Sequence, residues 1–210
     1  METYWFDSLP STQTHAVKLI RSGALQESAV IAAKMQTGGI GSRNNIWQGR
    51  RGNLFCSIVT PIKHLPADLK LQSASLYFGF LAAQTLQEYK SRAWLKWPND
   101  IYLDHDKIGG LICWQESGFL IAGLGLNLHS HGAYRGVDID IGDRDFLTRL
   151  VKAVEKKPGW KEIFSKFRLE FSKSKQFSMH YGDEKVALAR TSLQEDGSLI
   201  YQGKRIYSLR

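Results

Sequence analysis

The chain opens on a short apolar-rich run, residues 2–6 (ETYWF), that predicts a strand. Ser11-Thr12-Gln13 follows, with a hydroxyl placed to cap a helix of about ten residues that Gly23 can close. Residues 28–33 (SAVIAA) and 54–59 (LFCSIV) are β-branched apolar runs and predict two core strands. The stretch between them, 36–52, is polar and glycine-rich and reads as a long loop, of a length that in compact domains often serves function. Across residues 66–90 the apolar positions Leu69, Leu76, Phe80, Ala83 and Leu86 keep a three-to-four spacing, which predicts the longest helix, with Pro66 in its first turn. Strand-like pieces at 94–97, 101–103, 108–115 and 119–128, separated by turn residues, predict an antiparallel meander. Helical patterning resumes over 143–171, and the tail alternates in runs at 185–189, 198–201 and 205–209, broken by Gly197 and Gly203. Strands and helices without regular βα alternation point to an α+β fold, a mixed or antiparallel sheet flanked by helices, with a tail too small to fold without packing on the main domain.

Composition narrows the classes. The 210 residues are 43% hydrophobic and 23% charged, which excludes a disordered, collagen-like or coiled-coil chain. The opening METYWFDSLP has no basic segment followed by an apolar one, and no apolar run approaches the roughly 18 residues of a membrane span, so a soluble, unexported, cytoplasmic protein is expected. Cys56 and Cys113 both sit in apolar runs and read as reduced core residues. Lys and Arg total 28 against 20 Asp and Glu, a net charge of +8. The densest basic stretch, 152–175, carries eight Lys/Arg against three Glu. Trp160, Ile163, Phe164, Phe167 and Phe171 recur there at helical spacing, so the charges read as the solvated face of an amphipathic helix. A nucleic-acid-binding surface is the alternative.

Four short motifs carry chemistry. Gly38-Gly39-Ile40-Gly41-Ser42-Arg43 offers backbone amides free of side-chain obstruction beside a guanidinium, an arrangement that can wrap a phosphate or carboxylate. It lacks the ending of a P-loop and no helix pattern follows at once, so nucleoside-triphosphatase and Rossmann readings are rejected; a plain surface turn stays open. Lys96-Trp97-Pro98-Asn99-Asp100 places a β-turn between two strand-like pieces, which needs no function to exist. Lys107-Ile108-Gly109-Gly110 sets a lysine at a strand mouth beside paired glycines, either simply solvated or ready to neutralise an anion. Gly123, Gly125 and Asn127 fall at i, i+2, i+4, on one face of a strand, which could admit a flat ligand or merely pack against a helix. The six histidines are scattered without a Ser-His-Asp or Cys-His arrangement, and His129-Ser130-His131 reads as surface loop more readily than metal site.

Taken in order, Ser11-Thr12-Gln13, Gln36 with the glycine loop and Trp47, Lys96-Trp97-Pro98-Asn99-Asp100, Lys107-Ile108-Gly109-Gly110 and Gly123-Leu124-Gly125-Leu126-Asn127 resemble the biotin protein ligases, over the whole chain from Ser11 to the closing Ile206-Tyr207-Ser208-Leu209-Arg210. The resemblance implies a biotin/lipoate ligase fold, similar to class II aminoacyl-tRNA synthetases, over 1–177, and a small SH3-like β-barrel over 178–210. It implies that ATP, with Mg²⁺, and biotin give biotinyl-5′-adenylate and pyrophosphate, after which a lysine of a biotin carboxyl carrier protein of acetyl-CoA carboxylase takes the biotin. With no helix-turn-helix ahead of Ser11, the resemblance is to ligases that are not repressors, so neither DNA nor membrane is an expected partner, and a monomer or weak homodimer is expected. By the same resemblance Ser11, Thr12 and Gln36 hold the biotin ureido group, and Gln13 belongs to the same biotin site. Gly39, Ile40, Gly41 and Ser42 close over the acyl-adenylate, and Gly110, Gly123 and Gly125 leave room for it. Lys107 and Arg43 are the catalytic cations, and Arg43, Trp47, Asn99 and Asn127 serve the nucleotide; the metal ligands stay unassigned. The loop departs from the family's Gly-Arg-Gly-Arg pattern, with Ile40 and Ser42 at the arginine positions and a guanidinium only at Arg43. A lipoate ligase or octanoyl transferase, with an apolar tunnel in place of the ureido site, is the nearest alternative.

Overall fold

The computed structural model describes residues 1–42, 45–182 and 184–207. Strand β1 (Glu2–Phe6) leads through helix α1 (Thr12–Arg21) to β2 (Ala29–Ala33), which it pairs in parallel. Then come β3 (Gln36–Ile40), β4 (Ile46–Gly49), β5 (Leu54–Pro61) and α2 (Ala74–Glu88). Strands β6 (Trp94–Lys96), β7 (Asp100–Leu103), β8 (Asp106–Glu116) and β9 (Phe119–Leu126) form the expected antiparallel meander. The main sheet has seven strands in the order β1-β2-β5-β9-β8-β7-β6. Helices α3 (Asp143–Glu155) and α4 (Trp160–Ser174) follow, and the chain ends in two small antiparallel sheets, β10 (Ser178–Tyr181) with β11 (Glu184–Ala187), and β12 (Ser192–Leu193), β13 (Leu199–Tyr201) and β14 (Lys204–Ile206).

Alternation along the strands decides which face buries what. From β5, Leu54, Cys56 and Ile58 enter one large apolar cluster with Phe78, Phe80 and Leu86 of α2 and Phe146 and Phe167 of α3 and α4. The opposite face carries a smaller cluster in which Ala16 and Ile20 of α1 meet Ile31, Val59 and Ile121. Helix α1 therefore covers only part of its face and leaves the centre of the sheet to polar residues. The C-terminal strands share the large cluster through Met179, Val186, Leu199, Tyr201 and Ile206, and the indoles of Trp97 and Trp160 donate to the carbonyls of Gly197 (2.8 Å) and Glu195 (2.9 Å). Cys56 and Cys113 are buried and free.

Three expectations are corrected. The glycine-rich stretch is not an open loop but a two-stranded ribbon, β3 with β4, because Gly39 and Gly49 let the two backbones approach closer than any Cβ would permit. Helix α2 starts at Ala74 rather than near Pro66, since Asp68 turns away to accept hydrogen bonds from the Trp160 (2.9 Å) and Lys161 (3.1 Å) amides, capping α4 whose own first residue is preceded by Gly159. The basic stretch 152–175, read as the face of one amphipathic helix, is divided between the end of α3 and α4, which are parted at Pro158-Gly159.

Candidate active site

The open part of the sheet forms the floor of a cleft whose inner end is lined by Ser11, Thr12, Gln13 and Gln36. Ser11 has extended backbone angles and caps α1, which points the first turn of the helix into the cleft. The Thr12 amide donates to Gln36 Oε1 at 2.7 Å, and the Thr12 hydroxyl lies 3.2 Å from the same oxygen. Ser57 Oγ, fully buried on β5, lies 2.9 Å from Thr12 Oγ1 and 3.0 Å from Gln13 Oε1, while Gln13 Nε2 donates to the Ile121 carbonyl at 3.0 Å. This end is a closed, uncharged hydrogen-bond network. It fits because β9 has no side chain beneath Gln13: a Cβ on Gly123 would stand 2.4 Å from Gln13 Oε1.

Two residues along β9 the same device recurs with a different occupant. A Cβ on Gly125 would stand 2.5 Å from the Trp47 ring, so the indole of β4 lies directly on the sheet, with Nε1 buried and, among the described residues, without a hydrogen-bond partner. Gly125 pairs with Gly110 on β8, and Gly110 with Asp100 on β7, so these three residues form one row across the sheet. Lys107 Nζ stands over this row, 2.6 Å from Asp100 Oδ1 and 5.6 Å from the centre of the Trp47 ring. Lys107 and Gly110 are an odd number of residues apart and on a regular strand would face opposite ways. The pairing of β7 with β8 shifts register between Ile101 and Tyr102, and this bulge turns Lys107 onto the face of Gly110.

Asp100 is shared. Lys96, nearly buried, reaches its other oxygen at 3.5 Å and lies over the rings of Tyr102 and Phe177. Burial, and then the charges of Asp100 and Asp106, push the Tyr102 phenol up to about 12, so it stays neutral beside this cluster. The intervening turn, with a cis Trp97–Pro98 bond, is anchored below by the Trp97 indole and above by Asn99, whose side-chain amide donates to the Leu111 carbonyl.

Beyond Lys107 the cleft opens into an outer cavity walled by Ile46, Trp47, Asn53, Asn127 and Tyr134. Asn127 Nδ2 donates to the Arg135 carbonyl at 3.3 Å, and Asn53 Oδ1 accepts from the Leu128 (3.0 Å) and His129 (3.3 Å) amides, which sets the course of the chain around the cavity. Ile46 is 83% exposed and Tyr134 49% exposed, an apolar rim on an otherwise polar opening. Among the described residues no group of three or more His, Cys, Asp or Glu is gathered closely enough to hold a metal ion.

Residues 5–128, more than half of the chain, match the model of the biotin/lipoate A/B protein ligase family. The chain belongs to that family. Among solved structures, the biotin acetyl coenzyme A carboxylase synthetase from Helicobacter pylori with bound biotinylated ATP superposes with a TM-score of 0.94 at 39% identity, covering 98% of this chain and 99% of that one. The biotin protein ligase from Aquifex aeolicus, in complex with biotin and ATP, shares the fold at a TM-score of 0.77 and 21% identity, over 98% of this chain and 94% of the other. The bifunctional ligase/repressor BirA of Salmonella typhimurium is 28% identical over 142 residues, 64% of this chain. That match spans 42% of the relative's length.

Within this ligase-family cleft the structure gathers most of the residues singled out from the sequence. Ser11, Thr12, Gln13, Gln36, Ile40, Gly41, Ser42, Trp47, Asn99, Lys107, Gly110, Gly123 and Gly125 all line it. Asn127 lines the outer cavity, whereas Asn99 lies beside Asp100 at the centre. Gly39 is buried in the ribbon, where its missing Cβ admits the Trp47 carbonyl. The space above Gly123 and Gly125, expected to be left for ligand, is filled by Gln13 and Trp47. Arg43 lies outside the described residues. Ser57, Asp100 as the partner of Lys107, and Asn53 were not singled out. A serine inside the apolar run LFCSIV was the available signal for the first.

Proposed function

We propose that the chain is an ATP-dependent biotin protein ligase. The observation that carries this is the pairing, in one cleft, of an uncharged hydrogen-bonding end built by Thr12, Gln13, Gln36 and Ser57 with a lysine poised over a glycine row. A cyclic urea offers both donors and acceptors and no charge, which suits the inner end; its carboxylate tail would then reach Lys107. There the tail's oxygen attacks the α-phosphorus of ATP, supplied as its Mg²⁺ complex, and the bond to pyrophosphate breaks. In the second step an acceptor lysine, as the free amine, attacks the acyl carbon and AMP leaves. Joining two anions needs charge neutralisation and alignment more than acid–base chemistry, and Lys107 supplies the first while the tightly packed row beneath supplies the second. The outer cavity, with its Trp47, Ile46 and Tyr134 rim, is the place for the base of the nucleotide.

A lipoyl or octanoyl substrate would need an apolar tunnel where this cleft has four polar side chains, so biotin is the preferred acid. We take the acceptor to be a biotin carboxyl carrier domain of acetyl-CoA carboxylase, in keeping with the name of the Helicobacter protein. A cytoplasmic setting goes with this reading, since ATP and the unmodified carrier meet there; no helix among the described residues is long and apolar enough to cross a membrane. The test is pyrophosphate release and carrier labelling with purified protein, Mg²⁺-ATP and either biotin or lipoate. Biotin-dependent turnover is expected; turnover with lipoate alone would move the chain to the other branch of its family, and turnover with neither would overturn the ligase reading.

A further inference from the structure

Lys107 is the first residue beyond a tight turn in which Asp104 adopts a left-handed backbone, φ +53°. Both acids of that turn are held by one side chain from a distant segment. Arg135 Nη2 lies 3.0 Å from Asp104 Oδ2 and Nη1 lies 3.0 Å from Asp106 Oδ2, with Nη1 also 3.5 Å from the Leu103 carbonyl. Arg92 holds the other oxygen of Asp104 at 3.2 Å and reaches Asp138, three residues past Arg135. The segment that carries Arg135 closes on itself at the nucleotide side of the cleft. Asn127 Nδ2 donates to the Arg135 carbonyl, the Val137 amide donates to the Asn127 carbonyl at 3.0 Å, and Tyr134 from the same segment walls the outer cavity.

We propose that Arg135 is a positioning residue for Lys107: by clamping Asp104 and Asp106 it makes the placement of the lysine depend on the segment that surrounds the nucleotide. The proposal rests on the ligase reading for its catalytic consequence, though not for the coupling itself. The clamp is a third exposed at Arg135, and half-exposed ion pairs contribute little to global stability. A planar fork that spans two carboxylates and a carbonyl sets geometry instead, and small displacements of a reacting group are costly to rate.

The experiment compares wild type, Arg135→Ala and Arg135→Lys. In biotin-dependent pyrophosphate release, Arg135→Ala is expected to lower kcat about tenfold while the KM for biotin stays within about twofold, and Arg135→Lys, which keeps the charge and loses the fork, to recover part of the loss. Unchanged kcat would overturn the proposal, as would a loss that follows the folded fraction measured by thermal melting, or one in which the biotin KM rises in step. A second readout needs no substrate: reductive methylation of Lys107, followed by peptide mass spectrometry with the exposed and remote Lys63 as reference. Release of the clamp loosens the Lys107–Asp100 pair, so methylation in Arg135→Ala is expected to quicken about threefold. An unchanged methylation rate would overturn the coupling even if wild type turned over biotin, and a quickened one would sustain it even if wild type released no pyrophosphate.

Discussion

The two ends of the cleft use the same construction and reach opposite results. Both place a large side chain directly on a β9 glycine, Gln13 on Gly123 and Trp47 on Gly125. At the inner end the polar side chains bond one another: Gln13, Thr12, Gln36 and Ser57 form one network that reaches the Ile121 carbonyl. At the outer end the Trp47 indole is buried with its donor unmatched among the described residues, and Lys107 shares Asp100 with Lys96. A buried donor left without a partner costs free energy, so the outer end is poised for a ligand acceptor while the inner end must exchange partners to take one. The difference teaches where selectivity and where reactivity reside. A closed neutral network rejects a ligand that cannot replace its bonds, whereas an unmatched donor beside a cation favours whatever brings negative charge.

The comparison breaks most visibly at Lys107. Lys107→Ala is expected to slow adenylate formation by about 10²- to 10³-fold, read as pyrophosphate release, with the KM for biotin little changed. A loss carried mainly by the biotin KM would mean that the lysine only binds the tail and that the two ends are not divided in this way.

The glycines sharpen the division. Gly123→Ala forces Gln13 off the Ile121 carbonyl and Ser57, and is expected to raise the biotin KM about tenfold with the ATP KM unmoved. Gly125→Ala pushes against a rigid ring backed by the ribbon, and is expected to raise the ATP KM by a similar factor with biotin less affected. Both variants shifting the same constant would show that Gln13 and Trp47 line one site and not two. Ser57→Ala is a milder probe of the inner end. It removes one hydroxyl from the network and should weaken biotin binding about fivefold by titration calorimetry, close to one hydrogen bond's net worth.

How far these positions could be read from sequence follows the same physics. The cap at Ser11, the meander, and the glycines of β9 are local patterns, and each was legible because its signal lies within a few residues. The β3–β4 ribbon was not legible, since glycine and polar residues show no alternation and the pairing rests on close backbone approach. The start of α2 was misplaced because Pro66 invites a helix while Asp68 is committed to α4, more than 90 residues away. At the site, residue types pointed to Lys107 and the glycines, but not to Asp100 as its partner, which depends on a bulge that no spacing rule announces. Ser57 was hidden by its apolar neighbours. The filled space above Gly123 and Gly125 was invisible for the complementary reason: a glycine announces room, and only the tertiary structure says who occupies it.

The smallest expected effect comes from the strand that serves both faces. Cys56 precedes Ser57 on β5 and points into the apolar cluster on the far side of the sheet, where burial pushes its thiol up from 9.0 to about 12. Cys113 is raised to about 12 by the same cause, burial. The sign follows from proton counts. Below pH 9 both folded and unfolded thiols are protonated and the shift contributes no slope. Between 9 and 12 the unfolded chain has lost protons that the native chain retains, so stability falls as pH rises through that window. Urea unfolding at pH 8, 9.5 and 10.5 should show this decline, and Cys56→Ala should make it shallower without abolishing it, because burial raises the phenol of Tyr102 as well. At pH 7.5 Cys56→Ala should leave biotin-dependent pyrophosphate release within about twofold of wild type, since alternation puts this side chain and Ser57 on opposite faces. A slope unchanged by the substitution would mean that the thiol does not hold its proton through folding, and a large loss of turnover would mean that the two faces of β5 are not independent.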